Sequence, residues 1–108
     1  MKNRERFEHA HQFLSGYFHQ DWHEDFDEPE EAVAEYMRYA NPRSRAGALH
    51  NLRQIIAEFQ GPDLNRVMLE IGCYYSPERY RGTSMRQWLD EVVAELEQSL
   101  SGADSQGE

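Results

Sequence analysis

Residues 41–59, NPRSRAGALHNLRQIIAEF, decide the fold class. Asn41 is a good N-cap and Pro42 suits a first helical position. Leu49, Leu52, Ile55, Ile56 and Phe59 then fall on one side of a helical repeat, the cleanest amphipathic stripe in the chain. Downstream, Gly61-Pro62 breaks that helix and opens a shorter one carrying Leu64, Val67, Met68 and Ile71, with Gly72 as its stop. Ser84-Met85-Arg86-Gln87 has the form of a capping box and leads into a last helix with Trp88, Leu89, Val92, Val93, Leu96 and Leu100. Upstream, Pro29 suits another first helical position. Glu28 precedes it and Glu30 and Glu31 follow, where carboxylates favour the helix dipole. That helix runs to about Ala40 and turns Val33, Tyr36, Met37 and Ala40 inward. Phe7, Ala10, Leu14 and Tyr17, with Phe18 one turn beyond Leu14, predict a first helix ending near His19.

No segment alternates apolar and polar residues over a strand length, and no internal repeat occurs. The expected fold is therefore all-α, a single-domain antiparallel bundle of about five helices over 1–100, with the polar residues 101–108 as a frayed, disordered tail. The stretch Gly72-Cys73-Tyr74-Tyr75 is also open to a short extended reading. The 108 residues are enough for one core, and the single cysteine, Cys73, excludes an internal disulfide. The N-terminus, MKNRERFEHAHQF, lacks the apolar stretch of a signal peptide, and no run approaches the roughly 20 apolar residues that span a bilayer. The expected location is the cytoplasm.

Charge is distributed unevenly. Asp21, Glu24, Asp25, Asp27, Glu28, Glu30 and Glu31 lie within eleven residues that contain no Lys or Arg; without these seven the chain has thirteen acids against eleven bases, so they supply most of the net charge of -9. Such a surface suits a basic partner through field steering and charge complementarity. It disfavours nucleic acid, which requires Lys and Arg at phosphates. The small basic groups, Lys2, Arg4 and Arg6 and then Arg79 and Arg81, read as solvated surface.

Catalytic and metal-binding patterns fit poorly. His19 and His23, with Asp21 and Glu24, would pair on a continuous helix, but the helix is expected to end there. The run His23-Glu24-Asp25-Phe26-Asp27 has aspartate where a zinc-protease motif needs its second histidine. An EF-hand counted from Asp21 has Phe26 in place of glycine and Ala32 in place of glutamate. His9 and His11 point to different sides of a helix and are expected to be exposed. Cys73 has no histidine close in sequence and reads as a small buried hydrophobe. No phosphate-cradling loop occurs. No catalytic residue, metal ligand or cofactor is assigned. Tyr17, Phe18 and Trp22 read first as core and lid residues.

Three motifs, Tyr17-Phe18-His19-Gln20-Asp21-Trp22, Gly72-Cys73-Tyr74-Tyr75-Ser76-Pro77 and Trp88-Leu89, together resemble the helical immunity proteins of bacterial contact-dependent growth inhibition systems. The likeness extends from Phe13 to Leu96. It implies a small cytoplasmic protein without catalysis that binds a toxin domain delivered by a neighbouring cell, such toxins often being nucleases. The resemblance carries no contact residues across. The acidic segment, with Trp22, Tyr74 and Tyr75 as anchors, is assigned as the contact surface on charge and aromatic content alone. An acidic helical adaptor that sequesters another basic protein stays open, as does a metal-binding protein built on His19, Asp21, His23 and Glu24. Oligomeric state is not assigned, because no heptad seam runs long enough for a coiled-coil dimer.

Overall fold

The computed structural model describes residues 2–106, with side chains from 2 to 101. Among these are eight helices and no strand: α1 (Asn3–Arg6), α2 (Glu8–Tyr17), α3 (Trp22–Asp25), α4 (Pro29–Tyr39), α5 (Pro42–Glu58), α6 (Gly61–Glu70), α7 (Pro77–Arg81) and α8 (Met85–Gln106). The all-helical class is as expected, and the five predicted helices are α2, α4, α5, α6 and α8. Three one-turn helices are additional. The expected tail overlaps the end of α8, and its residues 107 and 108 lie outside the described part of the chain.

The start signals act as read. The Asn41 side chain accepts from the Ser44 amide at 2.8 Å. Ser84 and Gln87 exchange hydrogen bonds at 3.1 Å in both directions. The Glu28 amide donates to Glu31 Oε1 at 2.9 Å, ahead of Pro29. Central α5 packs against both α2 and α8. Its Leu52 and Ile55 are fully buried, and Leu14 of α2 and Leu89 and Leu96 of α8 are buried with them in the same core. Arg53 pairs with Glu97, and Arg45 donates to Ser99 Oγ at 2.9 Å, tying α5 to α8 at the surface.

The first predicted helix is divided at Phe7, whose φ of -113° and ψ of 51° leave the helical region. Phe7 has no side-chain acceptor for the first amides of α2, so the cap comes from another helix. Asn51 of α5, 7% exposed, accepts from the amides of His9 and Ala10 at 3.1 and 3.2 Å. This satisfies two donors that a helix start otherwise leaves unpaired. The preceding turn, α1, is held by Arg4 donating to the Glu70 carbonyl and by a two-pronged Arg6–Glu58 pair at 2.6 and 2.8 Å. Arg4 and Arg6 are exposed, as read, and also tether the turn to α6 and α5.

His9 and His11 are half-buried, not exposed as expected. His9 lies against Gly47, where a Cβ would come within 2.4 Å of the ring, and His11 Nδ1 bonds the Ile71 carbonyl at 2.8 Å. At Gly72 the chain turns with φ of +99°, and a Cβ there would lie 2.6 Å from Ser15 Cβ. Glycine is required for both reasons. Beyond it, residues 73–76 run without helix or strand, and the Tyr74 amide donates to the Phe18 carbonyl at 2.7 Å. That bond binds the second family-like motif to the first.

Candidate partner-binding surface

The site begins with a buried aromatic layer. Phe18, Trp22, Tyr75 and Trp88 converge, with ring centroids 5.9 Å apart for Phe18 and Trp22, 5.4 Å for Trp22 and Tyr75, 4.9 Å for Tyr75 and Trp88, and 5.1 Å for Phe18 and Trp88. Each tilted or edge-to-face pair adds about 0.5–1.5 kcal/mol beyond the burial of its area. All three motifs that are separate in sequence meet in this layer, which makes it a fold determinant. Trp22 and Tyr75 are only 1% and 2% exposed, whereas Tyr74 is 52% exposed. Of the three expected aromatic anchors, two thus have their rings in the core.

A second aromatic layer lies over the first. His23 stacks on Trp22 at 4.3 Å, and Tyr80 of α7 sits 5.2 Å from Trp22 and 5.5 Å from His23. Tyr80 is 46% exposed. Sequence reading missed it because the turn of helix carrying it, α7, is five residues long and has no period to detect; Ser76-Pro77 was the available signal, an N-cap followed by proline. The Ser76 hydroxyl does accept from the Arg79 amide, at 3.3 Å.

All seven carboxylates of the acidic segment are exposed, but they differ in what they already hold. Glu28 and Glu30 both pair with Arg81 of α7, which fastens the start of α4 to α7. Arg81 is exposed, as read, and also acts as a clamp. Glu31 accepts the Glu28 amide. Asp25 Oδ2 lies 3.1 Å from His19 Nε2, while His19 Nδ1 accepts from the Asp21 amide at 3.1 Å. The imidazole donating through Nε2 and accepting through Nδ1 is the neutral tautomer, and it staples the turn between α2 and α3. Asp21, Glu24 and Asp27 make no side-chain ion pair among the described residues. Three uncommitted carboxylates therefore stand on a platform held by a buried tryptophan, a histidine staple and an arginine clamp.

The profile of the CdiI immunity protein family matches residues 6–96. This chain is a member of that family. The match spans the acidic segment and all three motifs of the aromatic layer, and the family's proteins are immunity proteins of contact-dependent growth inhibition systems that bind cognate toxins. No curated protein and no solved structure matches the chain. No described helix of the immunity protein is long and apolar enough to cross a membrane.

The acidic surface of the immunity protein also extends beyond the segment visible in sequence. Glu91 of α8 lines one cleft together with Glu30 of α4. The carboxyl of Glu95 is raised first by burial and then by the charges of Glu91 and Glu30. Residues some sixty positions apart in sequence give no local charge run, so this extension was not legible. Reactive chemistry finds little support. Cys73 is buried, and burial pushes its thiol up to about 12. Its Sγ lies 3.7 Å from the Tyr75 carbonyl. Among the described residues no three His, Cys, Asp or Glu side chains are gathered to hold a metal ion, and His19 and His23 have separate partners in Asp25 and Trp22.

Proposed function

We propose that this CdiI immunity protein neutralises a nuclease toxin in the cytoplasm by covering the toxin's basic, substrate-binding surface, with no catalysis of its own. The observation that carries the reading is the platform bearing Asp21, Glu24 and Asp27, three exposed carboxylates without ion-pair partners among the described residues, beside the exposed rings of Tyr80 and His23. A nuclease must present positive charge to a polyanion, and a protein that presents carboxylates on a pre-ordered surface competes for it. Charge speeds the encounter, and aromatic contact slows release. Tyr74, Tyr80 and His23 supply that contact at the surface, and Trp22 and Tyr75 support it from beneath.

The test uses the C-terminal domain of any large surface protein encoded beside this chain, expressed with and without the immunity protein. Growth arrest relieved by co-expression, with nucleic-acid cleavage by the purified domain blocked at one equivalent, is the expected result. Arrest without relief ends the pairing and favours the acidic adaptor of another basic protein. Relief without nuclease activity keeps immunity and removes the nuclease.

A further inference from the structure

A cleft of about 70 Å³ opens between α4, α7 and α8, lined by Glu30, Tyr75, Arg81, Thr83, Trp88 and Glu91, among others. Tyr75 is 2% exposed, and its hydroxyl has no hydrogen-bond partner among the described residues. Folded proteins keep few buried polar groups in that condition, and each one needs an account. Burial raises the Tyr75 hydroxyl to about 12, with Arg81, Glu30 and Glu91 the charges that face it from α7, α4 and α8. It is therefore a neutral phenol, able both to accept from a donor and to donate to a carboxylate.

The charges around the hydroxyl are unbalanced. Arg81 is held by Glu28 and Glu30. Glu91 has no ion-pair partner among the described residues, and Glu95 lies within range of Glu91 and Glu30. Two carboxylates thus share the one guanidinium, and Glu91 adds a further negative charge from the α8 side of the cleft. An anion is repelled from such a cleft, and a neutral group leaves Glu91 uncompensated. A guanidinium is best used against both oxygens of one carboxylate, which Arg81 already does at Glu30. An ammonium is compact and directs three donors in different directions, which suits the divergent Tyr75 hydroxyl and Glu91 carboxylate.

We propose that this cleft is the receptor for one lysine side chain of the toxin, whose ammonium donates to the Tyr75 hydroxyl oxygen and pairs with Glu91. The inference rests on the immunity reading above and adds a single buried contact to its charged surface. Tyr75 is then an anchor that works through its hydroxyl while its ring remains in the core.

The experiment measures binding of the purified toxin domain to the wild-type protein and to Tyr75→Phe and Glu91→Gln, together with the melting temperature of each variant. Removing an unpaired buried hydroxyl leaves the melting temperature unchanged or raised. Loss of a charge-assisted hydrogen bond weakens toxin binding roughly ten- to a hundredfold, chiefly through faster dissociation. Replacing the toxin's lysines by methionine one at a time should find one whose effect vanishes in the Tyr75→Phe background. Binding of both variants within about twofold of wild type overturns the cleft and leaves immunity standing, as does additivity of every toxin lysine with Tyr75→Phe. If the wild-type protein itself does not bind the domain, the immunity reading fails, and this inference fails with it. Should Tyr75→Phe unfold, Glu91→Gln on the exposed side of α8 carries the same comparison.

Discussion

Helix α5 and the segment 18–31 bury their apolar side chains equally well by different means. Leu52 and Ile55 of α5 are fully buried, and so are Phe18 at 0% and Trp22 at 1% exposure. In α5 the burial follows from period, because one face of a seventeen-residue helix meets α2 and α8 along its length. The segment 18–31 has no such face. It holds the single turn α3 between two irregular stretches, ends in the first turn of α4, and is fastened by partners far along the chain, Tyr75 and Trp88 to its rings and Arg81 to Glu28 and Glu30. A local pattern suffices for the scaffold, whereas the surface that meets a partner is assembled from several parts of the chain. Once assembled, it presents charge without an ordering cost at binding.

The sharpest attempt to break this comparison is Trp22→Ala. If the segment is packed as firmly as α5, the variant loses about 3–5 kcal/mol of stability, comparable with the about 2–5 kcal/mol expected for Ile55→Ala. Urea unfolding followed by circular dichroism measures both. A loss below about 1 kcal/mol for Trp22→Ala would make the segment a loosely attached strap, and the aromatic layer would no longer count as core.

A smaller effect sharpens the other side, since α5 is not only an apolar stripe. Asn51 caps α2 from a different helix, so Asn51→Leu should cost about 1–3 kcal/mol by leaving the His9 and Ala10 amides unpaired, despite its greater hydrophobicity. Asn51→Asp keeps the acceptor and adds a negative charge at a helix start, so it should cost less than Asn51→Leu. Equal losses in the two variants would mean that packing around Asn51, and not the cap, holds α2 in place.

This contrast also explains what was legible in the sequence. Asn41-Pro42, Pro29 and Ser84 through Gln87 mark helix starts by chemistry that acts within one turn, so the starts of α4, α5 and α8 followed from the letters. The break at Phe7 did not, because its cause is Asn51 in another helix. The short α3 and α7 escaped for a related reason. A single turn has no period to detect, and both are stabilised by tertiary contacts through Trp22, Tyr75 and Tyr80. At the surface, the acidic run was plain to read, but which acids are free depends on His19 and Arg81, and the contribution of Glu91 depends on α8 lying beside α4. The resemblance to a family reached the right family because its aromatic motifs specify the core. For the same reason the ring of Trp22 lies in the core, as its first reading had it, and Tyr75 lies there too, so neither ring is an exposed anchor.

The smallest expected effect on stability tests the sorting of the acids directly. Neutralising Asp21, Glu24 and Asp27 together to Asn, Gln and Asn removes three charges that hold nothing in place, so the melting temperature should stay within about 3 °C. Neutralising Asp25, Glu28 and Glu31 to Asn, Gln and Gln removes the same amount of charge but also weakens the His19 staple, one arm of the Arg81 clamp and the bond to the Glu28 amide, because a neutral amide oxygen accepts less strongly than a carboxylate. That variant should melt lower than the first. With the toxin domain as partner, the first set should slow association severalfold, the more so at low salt, because long-range attraction acts through total charge. The second set should slow it by a similar factor and also speed dissociation, because the platform under the contact is held less firmly. Equal dissociation rates and equal melting temperatures for the two sets would mean that net charge alone matters, and that the internal ties of the acidic segment have no part in recognition.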